Sequence, residues 1–152
     1  MKKVLTPLIL LACAVLFSSG CGNVGAIVVT GLRIELTGIE RAADGAVSVS
    51  WQLANPNVTP YLMAQVTNKI YLNGSLVGTT LEKDPFAVPA NGNIAKTNRL
   101  TLAGPAATQI LMTAAQGPVN YRLESNLIIQ IYGDETEKGN LVQSGTVTVT
   151  SK

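Results

Sequence analysis

The chain contains no histidine, two cysteines and one tryptophan, and only 13% of its 152 residues are charged. Lack of histidine removes the commonest general base near neutral pH and the commonest transition-metal ligand. Cysteine offers little in its place. Cys13 and Cys21 both lie in or beside an N-terminal leader, so the domain that follows has no second thiol for a disulfide or a cysteine zinc site. Neither a Ser-x-x-Lys pair nor a GxxxxGK[ST] phosphate loop occurs. These shortages argue against an enzyme and give no sign of a cofactor, a metal or a small-molecule substrate.

The first thirty residues are the most informative local feature. Met1-Lys2-Lys3 is basic, residues 4–17 are apolar apart from Thr6 and Pro7, and Ser18-Ser19-Gly20 leads into Cys21. A basic start, a short apolar core and a small-residue exit form a secretory signal. The apolar run is shorter than the roughly 20 residues of a spanning helix. With Ser19 and Gly20 before Cys21, the exit resembles a bacterial lipoprotein signal, although Ser18 stands where leucine is usual. The resemblance implies a signal over 1–20, a lipidated tether over 21–26 from an acylated Cys21, and a domain over 27–152. Two or more acyl chains hold a protein stably on a membrane. Gly22, in place of the aspartate that marks inner-membrane retention, points to the periplasmic face of the outer membrane. Ordinary cleavage near Gly20, leaving a soluble domain with one thiol, is the alternative. Removing Lys2 and Lys3 with the leader leaves nine basic residues against nine acidic ones. No basic stripe remains to neutralise phosphates, which excludes nucleic acid as a partner.

The remaining chain, roughly 130 residues, suits one domain. It reads as β. Val47, Val49, Trp51 and Leu53 alternate with Ser48, Ser50, Gln52 and Ala54, the period of a half-buried strand. Leu32, Ile34 and Leu36 oppose Arg33 and Glu35 in a strand expected over 27–39, and Leu123, Leu127, Ile129 and Ile131 share one face. Val147 and Val149 alternate with threonines near the C-terminus. Asn73-Gly74, between Tyr71-Leu72 and Leu76-Val77, is a strong hairpin signal because both turn positions want positive φ. Asp44-Gly45 and Asn91-Gly92 mark further turns. About seven strands result, predicting a sandwich or barrel. Pro105 and Gly117 bracket one short helix that presents Ile110, Leu111 and Ala114.

Several residues invite functional readings that their patterns outweigh. Asp134, Glu135 and Glu137 lack calcium-loop spacing and read as a solvated hairpin turn between Tyr132 and Leu141. Trp51 falls on the buried parity of its strand. Asn68 interrupts the parity of Val66, Ile70 and Leu72, predicting a bulge or a satisfied buried amide. Thr146 to Ser151, without charge or proline, is the candidate open edge strand.

The segment Val49-Ser50-Trp51-Gln52-Leu53-Ala54-Asn55-Pro56-Asn57 resembles the strand-then-NPN motif of the WHy (water stress and hypersensitive response) domain, found in type 2 late embryogenesis abundant (LEA) proteins. The likeness continues through Ile70-Tyr71-Leu72-Asn73-Gly74 and Phe86-Ala87-Val88-Pro89-Ala90-Asn91-Gly92, and spans residues 28–151. It implies an all-β, seven-stranded sandwich of immunoglobulin or fibronectin type III character with one short helix, and a part in desiccation or general stress protection. Asn55, Pro56, Asn57, Asn73, Gly74 and Pro89 are then expected as structural residues, since Asn55 and Asn57 can bond backbone groups beside a proline that donates none. The expected partners are a membrane through the lipid and a protein client. The alternative is an accessory or assembly lipoprotein that binds one protein in the envelope.

Overall fold

A computed structural model describes residues 31–151. The leader, Cys21, the tether and the start of the strand expected from residue 27 lie outside the described residues. The elements run β1 (Arg33–Arg41), β2 (Val47–Asn55), β3 (Tyr61–Leu72), β4 (Ser75–Glu82), β5 (Phe86–Val88), β6 (Gly92–Arg99), β7 (Thr101–Leu102), α1 (Pro105–Ala114), β8 (Val119–Tyr132), β9 (Glu135–Val147) and β10 (Val149–Ser151). Among the described residues they form an all-β arrangement of two sheets with one helix. One sheet has the order β10-β1-β2-β6; the other runs β7-β4-β3-β8-β9, with β5 also on β3. All pairings are antiparallel except that of β10 with β1.

The described strands number ten rather than seven. β5, β7 and β10 have three, two and three residues, too few for a periodicity to register. The stretch 94–102, after the Asn91-Gly92 turn, divides between β6 and β7 in different sheets, with Leu100 buried at the crossing. The C-terminal run divides likewise: Val147 ends β9 on one sheet and Val149 begins β10 on the other.

Apolar alternation places the core. Val47, Val49, Trp51, Leu53 and Asn55 are buried along β2. In β1, a register shift between Leu36 and Gly38 returns Ile39 to the inner face occupied by Leu32, Ile34 and Leu36. Leu123, Leu127 and Ile129 of β8 are buried, but Ile131 is 54% exposed. It lies past the end of the core, where the register shifts between Gln130 and Tyr132. Across the two sheets, Trp51 meets Phe86 with ring centroids 6.2 Å apart, and the Leu36 amide donates to the Tyr121 hydroxyl at 3.3 Å. Helix α1 follows the sequence signals, with Pro105 in its first turn and Ala107, Leu111 and Ala114 buried. It packs against β4 and β7 and carries the chain from that edge to β8.

Asn68 resolves as a satisfied amide rather than a bulge. Its Nδ2 donates to Thr80 Oγ1 at 3.2 Å and its Oδ1 accepts from Ser125 Oγ at 2.6 Å. The β3 irregularities lie elsewhere, between Met63 and Gln65 and between Ile70 and Tyr71. This three-residue network spans β4, β3 and β8 and fixes their register, because a slip would strand buried polar groups. Asn68→Ala is expected to cost about 1–3 kcal/mol by leaving the two hydroxyls short of a partner, measured as a drop in urea-unfolding free energy.

Candidate interaction surface

The NPN motif closes one end of the sandwich. Asn55, the last residue of β2, is buried. Its Oδ1 accepts the Asn57 amide at 3.0 Å, and its Nδ2 donates to the carbonyls of Thr59 at 2.9 Å and Pro89 at 3.1 Å. The Asn91 amide donates to the Asn57 carbonyl at 2.9 Å. One side chain thereby joins the β2–β3 loop to the β5–β6 turn. Gly92 completes the packing, since an added Cβ would lie 2.6 Å from Pro89 Cγ. Asn55, Pro56, Asn57 and Pro89 are thus brought together. Asn73 and Gly74 stand at the opposite end, in the two-residue β3–β4 hairpin, with φ of 47° and 83°.

A second polar group bridges the sheets along a flank. Trp51 Nε1 donates to Asn98 Oδ1 at 2.8 Å, and Asn98 Nδ2 donates to Glu82 Oε2 at 3.2 Å. Lys96 Nζ lies 3.4 Å from the same carboxylate and 4.5 Å from the Phe86 ring centroid, while the Asp84 amide donates to Glu82 Oε1 at 3.0 Å. Burial alone would raise the Glu82 pKa, but the Asn98 and Asp84 donors and the Lys96 charge together hold it below the ordinary 4.5. Sequence reading misses this group because its members lie far apart in the chain and share no motif.

These polar groups are satisfied within the fold, so what remains open is backbone. β9 is the terminal strand of its sheet and pairs only with β8. Its charges, Glu135, Glu137 and Lys138, occupy the first four positions, and residues 139–147 carry neither charge nor proline. Near its end β9 approaches β1 before the chain enters β10, so the open row centres on residues 139–144. Val142 there is 64% exposed. The other terminal strands of the described residues differ: β10, β7 and β5 have three, two and three residues, and β6 carries Lys96 and Arg99. The open edge therefore lies earlier than Thr146 to Ser151, whose last three residues pair with β1. The expected turn from Tyr132 to Leu141 is also shorter, with only Gly133 and Asp134 between β8 and β9. The usable sequence signal is the run without charge after Lys138; its glycines and polar residues hide the strand. Among the described residues, no three His, Cys, Asp or Glu side chains are grouped to hold a metal ion, and no helix is long and apolar enough to cross a membrane.

Both polar groups can be tested by removing one member. Asn55→Ala leaves two carbonyls and one amide without their partner and is expected to destabilise the domain by about 2–4 kcal/mol, read by chemical denaturation. Since the folded Glu82 pKa lies below its unfolded value, its contribution is present above the unfolded pKa and is lost as pH falls from 4.5 through the folded value. The stability gap between the wild type and Glu82→Gln should accordingly narrow below pH 4.5 in melting curves taken across that range.

Comparison of the sequence with protein-family models and with curated proteins finds no match. Comparison of the structure does. The chain is similar to the solution structure of AT1g01470 from Arabidopsis thaliana, with 14% identity, 78% of each chain covered and a TM-score of 0.51. A crystal structure from Archaeoglobus fulgidus matches at 16% identity over 77% of this chain and 94% of that one, with a TM-score of 0.49. A solution structure named for the LEA group, At2g46140.1, matches at 10% identity over 81% and 74%, with a TM-score of 0.46. At such identities the likeness to AT1g01470 is one of fold.

Proposed function

We propose that this chain is a non-enzymatic envelope lipoprotein, held through Cys21 on the periplasmic face of the outer membrane, whose WHy/LEA type 2-like sandwich engages extended segments of other proteins along β9. The observation that carries the reading is the uncharged, proline-free row at the edge of the six-stranded sheet. Natural sheets usually block such edges with lysine, proline or very short strands. A bare row of donors and acceptors suits β-strand addition, in which main-chain hydrogen bonds supply affinity for segments of varied sequence. Seven of the strands have eight or more residues, which supports placing the sandwich in the immunoglobulin and fibronectin type III class.

The WHy resemblance supports a role in desiccation or general stress protection. Water loss exposes backbone and apolar surface in labile proteins, and exposed strands then pair with one another. A membrane-held edge that covers such segments would interrupt that pairing. The same edge also serves the second reading, an accessory lipoprotein with one dedicated envelope partner.

The test uses the full-length protein and its Asn140→Lys/Val142→Lys variant, both changes at exposed positions. A labile enzyme dried with the wild type should retain activity, whereas the variant should lose most of the protection at an unchanged melting temperature. Equal protection by both would contradict the role of β9. Cross-linking through position 142 in the envelope distinguishes the two readings: many clients support protection, one recurrent partner the accessory role.

A further inference from the structure

Among the described residues eight large hydrophobic side chains are exposed. Leu76, Leu81, Met112 and Val142 are spread over other parts of the sandwich. The other four include the two most exposed, Val58 at 82% and Tyr132 at 83%, with Ile131 and Leu62. Topology places all four at one end. Val58 is in the loop leaving β2, Leu62 is the second residue of β3, and Ile131 and Tyr132 close β8 before the Gly133-Asp134 turn. Leu62 pairs with Gln130, so β3 and β8 bring the loop and the turn to the same rim. The described chain also begins there: a Cβ on Gly31 would lie 3.3 Å from the Asn57 side chain and 3.5 Å from Pro56 Cγ. Only residues 22–30 separate Gly31 from Cys21, a reach of at most about 30–36 Å when fully extended. An anchor on Cys21 therefore holds this apolar end, rather than the Asn73-Gly74 end, within reach of the membrane.

We infer that the rim formed by Val58, Leu62, Ile131 and Tyr132 docks onto a zwitterionic phospholipid surface, orienting the sandwich with the start of β9 toward the membrane. The inference rests on the lipid anchor at Cys21 proposed above. The chemistry suits an interface: tyrosine pairs an apolar ring with a hydroxyl that stays hydrated at headgroup level. Asp134 and Glu135 follow Tyr132 closely, after Gly133, so a strongly anionic headgroup layer would repel the rim. Weak contacts suffice, because a tethered domain meets its surface at a high effective concentration.

The test places tryptophan at the rim, as Tyr132→Trp, or far from it on α1, as Met112→Trp, in the full lipidated chain reconstituted in phosphatidylcholine vesicles. Trp51 is fully buried and supplies a constant background. Docking predicts blue-shifted emission and quenching by brominated lipid for the probe at 132, with neither for the probe at 112. Intact mass is read on the same samples. Acylated protein whose two probes are equally unquenched overturns the docking and leaves the anchor standing. A blue shift at 132 without lipid quenching indicates a protein contact and overturns it too. A mature chain without lipid mass at Cys21 overturns both.

Discussion

Backbone hydrogen bonding must be completed somewhere, and a sandwich of two open sheets necessarily ends in strands with one unpaired side. In this molecule the terminal strands are unequal. Four of those described, β5, β6, β7 and β10, are short or charged, and β9 is long and, beyond Lys138, uncharged. The proposed function rests on that inequality, because an open strand leaves backbone donors and acceptors for a complementary backbone to pair with. The proposed strand addition asks little of side chains, which is compatible with a domain that has so few chemically distinctive ones.

The sheet behind that edge is held in register from within. The interior does so through polar groups whose partners come from separate elements. Asn68 joins β3, β4 and β8, and β8 is the strand on which β9 is laid. Glu82, Asn98 and Lys96 hold the two sheets together along a flank. Asn55 ties together the two loops at the end where the described chain begins. Each is costly to break and poorly satisfied in any other register. The NPN motif is thus an architectural knot, and its surroundings tie the start of the described chain to the loop carrying Val58.

Much of this architecture is legible in the sequence. The β2 face of Val47, Val49, Trp51 and Leu53, the Asn73-Gly74 hairpin and the Pro105 start of the helix each carry their signal within a few residues. The short strands β5, β7 and β10 are not legible, because pairing with a neighbour, rather than their own pattern, makes them strands. β9 is hidden for a related reason: Gly139, Asn140, Gln143 and Gly145 give it no apolar alternation, and it is held by its ladder with β8. Ile131 misleads because parity cannot show where a core ends. The local bonds of Asn55 to its own loop are legible in the NPN motif, but its bond to Pro89 and those of Glu82 to Asn98 and Lys96 join distant segments that no local motif encodes.

Hydrogen exchange on the full-length protein, alone and mixed with an unfolded client, reads the open edge itself. Amides within residues 139–144 of β9 are expected to slow on mixing, while those of the charged edge β6 and the two-residue β7 stay unchanged. Unaltered exchange along β9, with protection appearing at another edge or at none, would contradict strand addition there.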